Sequence, residues 1–279
     1  LRVDNMGILE EYGEALKVRL LNGLTIEGPT SNYNDTGRGL YHTPGDLVRV
    51  NGLPNGKLSV SSSNKSSITG SFNVQTQTVG GYHLTDNCRL FDMVNNSNMV
   101  EVELGDIHLS TISGEQVKYM RKTTDNKVDL VIFENVTGDV YQYGKVEEVS
   151  GGVVLTNGDH PDGATMVRNS YPFDVKDYVG LATSNHQVHD LVSTAHICTL
   201  SHGVVVSRDD FYWYQDGYYL NIDSWNVPVS DKVQCYNEET DTWSTSLVDL
   251  RAYAEELTVY YDKTPKEGGK IRVVVAEKS

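Results

Sequence analysis

No run of eighteen or more apolar residues occurs in this sequence, which excludes a transmembrane helix. No charged segment followed by an apolar core opens the chain, so no signal peptide is visible. Cysteine is scarce. Cys88, Cys198 and Cys235 form an odd, sparse set rather than a disulfide framework, and read as small semi-buried side chains. Basic residues are few and unclustered: 23 Lys and Arg against 38 Asp and Glu give a net charge of −15. A duplex nucleic acid or an anionic membrane would find no basic face here to displace its counterions. The acidic balance favours solubility and diffuse attraction of cations. Also missing are a phosphate-binding glycine loop, a nucleophile elbow and a metalloprotease motif. Long helices alternating with strands, the mark of a parallel βαβ sheet, are missing too.

What is present is β-type. Hydrophobic content is 38%, with Gly, Asn, Asp, Ser, Thr and Tyr frequent, a mixture that suits short strands joined by polar turns. Strands are expected at residues 16–24, 45–50, 57–60 and 71–79, with a long polar loop at 28–43. Asn22-Gly23, Asn51-Gly52, Asn55-Gly56, Gly80-Gly81 and the tract 95–98 supply turns, because Asn and Gly tolerate positive φ. Residues 203–214 and 218–222 read as a longer strand pair turning at Asp216-Gly217. Hairpins close each half, 117–121 with 128–134 and 257–262 with 270–277, turning at Asp125-Asn126 and Gly268-Gly269.

The same unit occurs twice. Gly7-Ile8-Leu9-Glu10-Glu11 returns as Gly144-Lys145-Val146-Glu147-Glu148, each followed by a short apolar run closed by Asn-Gly. Leu84-Thr85-Asp86 with Phe91-Asp92 is echoed by Val229-Ser230-Asp231 with Tyr236-Asn237. Lys127-Val128-Asp129-Leu130-Val131-Ile132 is echoed by Lys270-Ile271-Arg272-Val273-Val274-Val275. Cys88 and Cys235 fall in corresponding segments, one residue out of step. A repeated β unit points to a structural array. Leu247, Leu250, Ala254 and Leu257 follow helical spacing, and the matching stretch 101–117 is assigned a helix by analogy. The expected fold is mainly β: two tandem β-barrel or β-sandwich-like units, each with one short α-helix. The first unit covers 6–140 and the second 141–279. Leu1-Arg2-Val3 resembles Ile271-Arg272-Val273, so residues 1–5 read as the tail of a preceding unit in a longer chain. Apolar residues at 136–143 make the junction rigid rather than a flexible linker.

Four constellations could carry chemistry. Phe211-Tyr212-Trp213-Tyr214, followed by Tyr218-Tyr219 and Trp225, offers aromatic rings on a hairpin. Tyr212, Trp213, Tyr214 and Tyr218 are the candidate ligand-binding residues, set against a purely structural role as cross-strand pairs. His186, His189, His196 and His202, with Cys198 among them, have residue types suited to zinc but no zinc spacing, and His196 with Cys198 lacks a third group to orient a nucleophile. Residues 157–163 resemble a calcium loop, but the third acidic position is displaced and Asn169 stands where Glu is needed, so a β-turn is expected. Glu10-Glu11 and Glu147-Glu148 read as strand-edge charges that discourage aggregation. Carboxylates are too abundant for spacing to single out a glycosidase pair. No catalytic residue, metal site or cofactor is assigned.

The stretches Val136-Thr137-Gly138-Asp139-Val140-Tyr141 with Gly144-Lys145-Val146, residues 229–237 and residues 269–275 resemble the repeat regions of large bacterial surface proteins that carry S-layer homology domains, as found in clostridia-like Firmicutes. The wall-binding motif of that family is not recognisable here. The resemblance implies an extracellular, non-anchoring structural or spacer module without enzymatic activity, partnered by neighbouring repeat units or surface-layer proteins. The alternative is a module binding cell-wall or host glycans, or matrix, through the aromatic hairpin.

Overall fold

The computed structural model describes residues 5–21, 24–35, 47–52, 54–62, 70–95, 97–167, 173–188, 191–244 and 246–279. The chain is mainly β. Its first sheet holds β1 (Met6–Tyr12), β2 (Ala15–Leu20), β3 (Thr25–Pro29), β4 (Tyr33–Asp35), β5 (Leu47–Gly52) and β6 (Leu58–Ser62), in the order β3-β2-β1-β5-β6-β4. The two ends of that order, β3 and β4, are successive stretches separated only by a 3-10 turn at Thr30–Asn32, so the sheet curls back on itself. Along β2 and β5 burial alternates, and Leu16, Val18, Leu20, Val48 and Val50 point inward with Leu9 and Val60. Period-2 alternation of this kind is what a curled sheet with one wet face demands.

The second sheet contains β7 (Phe72–Asn73), β8 (Thr78–Val79), β9 (Tyr82–Met93), β10 (Val100–Val102), β11 (Thr111–Ile112), β12 (Val117–Lys122) and β13 (Val128–Glu134). Its order is β11-β7-β8-β9-β13-β12, with β10 beside β9. The third sheet, β14 (Gln142–Glu148), β15 (Val153–Thr156), β16 (Ala164–Val167), β17 (Tyr178–Val188) and β18 (Leu191–Thr199), is a closed barrel. The fourth comprises β19 (Val204–Ser207), β20 (Phe211–Tyr214), β21 (Gly217–Ile222), β22 (Trp225–Asn237), β23 (Thr242–Ser244), β24 (Glu256–Tyr261) and β25 (Ile271–Ala276), with helix α1 (Leu247–Tyr253) before β24. Strand order there is β19-β24-β25-β22-β21-β20, with β23 beside β22.

The echoed segments take matching places. β13 runs parallel to β9, pairing Val131 with Leu90 and Ile132 with Phe91. β25 runs parallel to β22, pairing Val274 with Cys235 and Val275 with Tyr236. Leu90, not Cys88, therefore stands where Cys235 does, and the cysteines are two positions out of step rather than one. β13 and β25 are near-continuous apolar runs because both faces are covered. Val131 and Phe133 face their own sheet's core while Leu130 and Ile132 pack with Met6 and Leu21 of the first, curled sheet. Val274 and Ala276 likewise face α1 and the β20–β21 hairpin, while Val273 and Val275 meet Tyr141, Tyr143 and Ala182 at the barrel. Fully burying a Val, Leu or Phe is worth about 1.5–3 kcal/mol each, so strands covered on both faces tie neighbouring layers together.

Gly7 and Gly144 hold equivalent places in β1 and β14. A Cβ on Gly7 would lie well inside contact of the Arg19 carbonyl, and one on Gly144 inside that of Thr156. Each glycine is followed by a β-bulge, between Leu9 and Glu11 and between Val146 and Glu148. The bulged residues Glu10 and Glu147 turn toward the neighbouring strand. Glu10 pairs with Arg19 at 3.2 Å and Lys17 at 3.4 Å, and Glu147 accepts the Thr156 hydroxyl at 2.9 Å. The strand-edge reading is thus corrected: β1 and β14 each have a partner on both sides, and Glu10 is buried.

Other expectations also change. The stretch 101–117 is not helical: it holds 3-10 turns at Leu104–Asp106 and Gly114–Gln116, and α1 is the one α-helix among the described residues. Ser246 caps α1, its hydroxyl accepting the Asp249 N–H at 3.2 Å, while nothing in 101–117 repeats the Leu247/Leu250 apolar stripe. Residues 71–79 form a tight hairpin, not one strand, because Gln77 takes φ +53°. Residues 203–214 are broken by a 3-10 turn at Arg208–Asp210. The hairpin expected to turn at Asp216-Gly217 turns at Gln215-Asp216, since Gly217 already pairs with Tyr214. Asn51 and Gly52 lie inside β5. The loop expected at 28–43 opens instead with the end of β3, the turn at Thr30–Asn32 and β4; its second half, like Asn22-Gly23 and residues 1–4, lies outside the described residues.

Residues 135–141, between β13 and β14, are held from both sides. In the first half, the buried Asp92 carboxylate accepts the Val136 N–H at 3.1 Å, the Thr137 N–H at 2.8 Å and the Thr137 hydroxyl at 2.6 Å. In the second half, Arg272 of β25 donates to Asp139 at 2.8 Å, to the Thr137 carbonyl at 2.6 Å and to Asp262 at 3.1 Å. Lys270 reaches Asp139 at 3.4 Å. Gly138, at φ +74°, leaves no room for a side chain beside Arg272 and Asp262. The loop between β9 and β10 adds a further tie, Asn98 donating its N–H to the Thr183 carbonyl of the barrel at 2.8 Å.

Candidate functional site

The β20–β21 hairpin sorts its aromatic rings by strand alternation. Phe211 points inward and is buried with Leu220 and Val227. Tyr212 and Tyr214 point outward, where both meet Tyr219 at 5.9 Å between ring centroids. Trp213 shares the face of Phe211 but lies beyond the core, 62% exposed, with Tyr218 edge-on at 4.9 Å and 87°. Tyr218 is half-buried, and Arg251 of α1 lies 5.3 Å from its ring. The four candidate residues therefore divide. Trp213 and Tyr218 share one face; Tyr212 and Tyr214 share the other.

Trp213 and Tyr218 line a cleft of about 650 Å³ formed with the 3-10 turn at Leu104–Asp106 of the first half. That turn brings Glu103, Asp106 and His108 opposite the hairpin, and Asp231 of β22 and Asp216 complete an acidic wall. Lys270 lies at the back, buried and bonded to Asp139. Crowding around the His108 ring, then the charges of Lys270 and Arg272, lower its pKa and keep the imidazole neutral near pH 7. Desolvation, then the neighbouring Arg272 charge, lower that of Lys270. Burial works against the charge of Asp139, but Lys270 and Arg272 outweigh it and hold its carboxyl below the usual value. A wall of aromatic faces and carboxylate acceptors can bind a polar organic ligand.

Of the residues lining this cleft, Trp213 and Tyr218 stood out in the sequence as part of an aromatic hairpin, whereas Glu103, Asp106, His108 and Asp231 did not. Asp231 was visible only as part of an echoed motif. The others come from a stretch of indecisive periodicity, and nothing local marks them as facing a hairpin more than a hundred residues later.

The histidines do not converge. His196 is exposed on β18, its Nδ1 3.1 Å from the Asn95 amide, and His202 is exposed beyond that strand. His189 and the side chain of His186 lie outside the described residues. Among the described residues no three His, Cys, Asp or Glu side chains could hold a metal ion. Burial pushes the Cys88 and Cys235 thiols up to about 12 and Cys198 to about 11, so none is a ready nucleophile. Residues 157–163 form a turn closed on itself: the Asn157 side-chain oxygen accepts the N–H of Asp159 at 3.0 Å and of His160 at 2.8 Å. Asn169 lies outside the described residues. No described helix is long and apolar enough to cross a membrane. No protein-family model matches the chain, and no curated protein matches it.

Proposed function

We propose that this chain is a non-catalytic structural module of a bacterial surface layer, two copies of one barrel-plus-sheet unit joined into a stiff spacer. The observation that carries this reading is the junction. Residues 135–141 are fixed by Asp92 on one side and by Arg272, Asp262 and Lys270 on the other. A flexible tether needs none of these buried bonds, whereas a module that transmits position needs all of them. The matched bulges, glycines and parallel ladders of the two halves support a duplicated unit. The high thiol pKa values fit a chain without nucleophilic chemistry. The extracellular setting and the partnership with neighbouring units or surface-layer proteins rest on the resemblance of residues 136–146, 229–237 and 269–275 to S-layer repeat regions. Small-angle scattering tests the stiffness: one particle dimension should hold from 10 to about 40 °C, below the usual mesophile melting range. A broad, temperature-dependent distribution would sink the spacer reading. Protease shaving of intact cells expressing the parent protein tests the location. Resistance until lysis would refute it.

A second reading is favoured by one observation, the exposure of Trp213 at the mouth of a cleft. Aromatic rings left uncovered on a hairpin are platforms for sugar rings, which makes this face a glycan-binding surface. Loss of oligosaccharide binding in Trp213→Ala tests it.

A further inference from the structure

We propose that the cleft between the 3-10 turn at Leu104–Asp106 and the β20–β21 hairpin binds an oligosaccharide that carries protonated amines. This rests on the second reading above and adds the ligand's charge and the contribution of the first half.

The volume, about 650 Å³, falls within the roughly 300–1,000 Å³ usual for small-ligand sites. Tyr218 stands perpendicular to Trp213 at 4.9 Å and braces the indole, most of which stays exposed. A flat, pre-positioned ring suits stacking by a pyranose. Around it the wall alternates groups that exchange hydrogen bonds with hydroxyls: Gln215, Ser246 and the neutral His108.

Charge then decides which sugar. Glu103, Asp106, Asp216 and Asp231 all line the cleft, and none of them forms an ion pair among the described residues. The opposing cation, Lys270, is buried and already bonded to Asp139. The cleft is therefore net negative and rich in groups that only accept. A neutral sugar would leave carboxylates desolvated without a counter-charge, and a uronic or phosphorylated sugar would be repelled. A protonated amine supplies both the charge and three N–H donors. It is also attracted to the Trp213 face. A lysine or arginine side chain from a peptide would meet the charge but leave the hydroxyl-bonding wall and most of the volume unused.

The test is calorimetric titration of the intact chain with two tetramers of the same framework. One is of glucosamine, at a pH where its amines are protonated; the other is of N-acetylglucosamine, which is neutral. The glucosamine tetramer should bind at least about tenfold more tightly, the scale of a hydrogen bond to a charged group. That advantage should shrink between low and high salt. Asp216→Asn with Asp231→Asn should remove it by weakening the glucosamine tetramer, while the neutral tetramer, relieved of desolvated carboxylates, binds no more weakly than before; Trp213→Ala should weaken both. All three positions are exposed, and unchanged circular dichroism and melting verify folding. Equal, salt-independent affinities overturn the charge assignment and leave the glycan surface standing. Binding of neither tetramer overturns both. Tighter binding of tetralysine than of the glucosamine tetramer, lost in Trp213→Ala, makes the cleft a peptide site and overturns the sugar assignment.

Discussion

Replacing Arg272 by Met should cost about 3–5 kcal/mol, the range for removing one partner of a buried ion pair. The guanidinium is 2% exposed and makes four hydrogen bonds: to Asp262 at 3.1 Å, Asp139 at 2.8 Å, Ser230 at 3.2 Å and the Thr137 carbonyl at 2.6 Å. It also lies 5.0 Å from the Tyr143 ring. Met keeps much of the volume, so the loss is electrostatic rather than a cavity. Asp262 would retain two backbone donors, Lys263 at 2.9 Å and Lys270 at 2.8 Å. Asp139 would retain only the Lys270 ammonium, at 3.4 Å. The damage therefore falls on Asp139, and Asp139→Asn on the Met background should restore about 1–2 kcal/mol, as expected for coupled neighbours. The pH dependence follows. In the wild type Asp139 has a lowered pKa, so its contribution is present above the ordinary carboxylate value and is lost as pH falls through the folded value. Without Arg272 that loss begins at higher pH. Urea unfolding from pH 7 downward measures both effects, and chymotrypsin reports the junction by cutting at Tyr141 and Tyr143, which are buried in the native chain. A loss below about 1 kcal/mol, with no new cleavage, would show that the charges are solvated and that the junction is held by apolar packing alone.

Gly144→Ala should destabilise by about 1–3 kcal/mol, the usual cost of overpacking, because its Cβ meets the Thr156 carbonyl; a neutral urea midpoint would refute the close approach. His108 has a lowered pKa, so the stability it allows is full above the ordinary imidazole value, about 6.5, and declines as pH falls toward the folded value. His108→Gln should flatten the unfolding midpoint across that window, and an unaltered profile would place the ring in bulk water. The three thiols should resist iodoacetamide at pH 7.5 in the native chain and react fully in urea, since their pKa values lie at about 11 to 12. Rapid native labelling counted by mass spectrometry would contradict these raised values.

The β class and many of the turns were legible in the residue pattern alone. These depend on what a residue does to its own backbone or its immediate period. Gly80-Gly81, Asn126 and Gly268 turn where positive φ was expected. The apolar run Ile271–Ala276, buried throughout, was readable as a strand, although not as one covered on both faces. The helix assigned to 101–117 failed because analogy with α1 replaced a real apolar stripe. The rest depends on contacts between distant parts of the chain. Arg272 sits in a strand where alternation would send it to solvent, yet it meets Asp139, 133 residues earlier in the chain. Trp213 acquires its acidic neighbours Glu103 and Asp106 because the turn of one half lies against the hairpin of the other. No local propensity encodes such contacts. They follow from how apolar faces such as those of β13 and β25 are covered, and that packing sets which distant charges share a site.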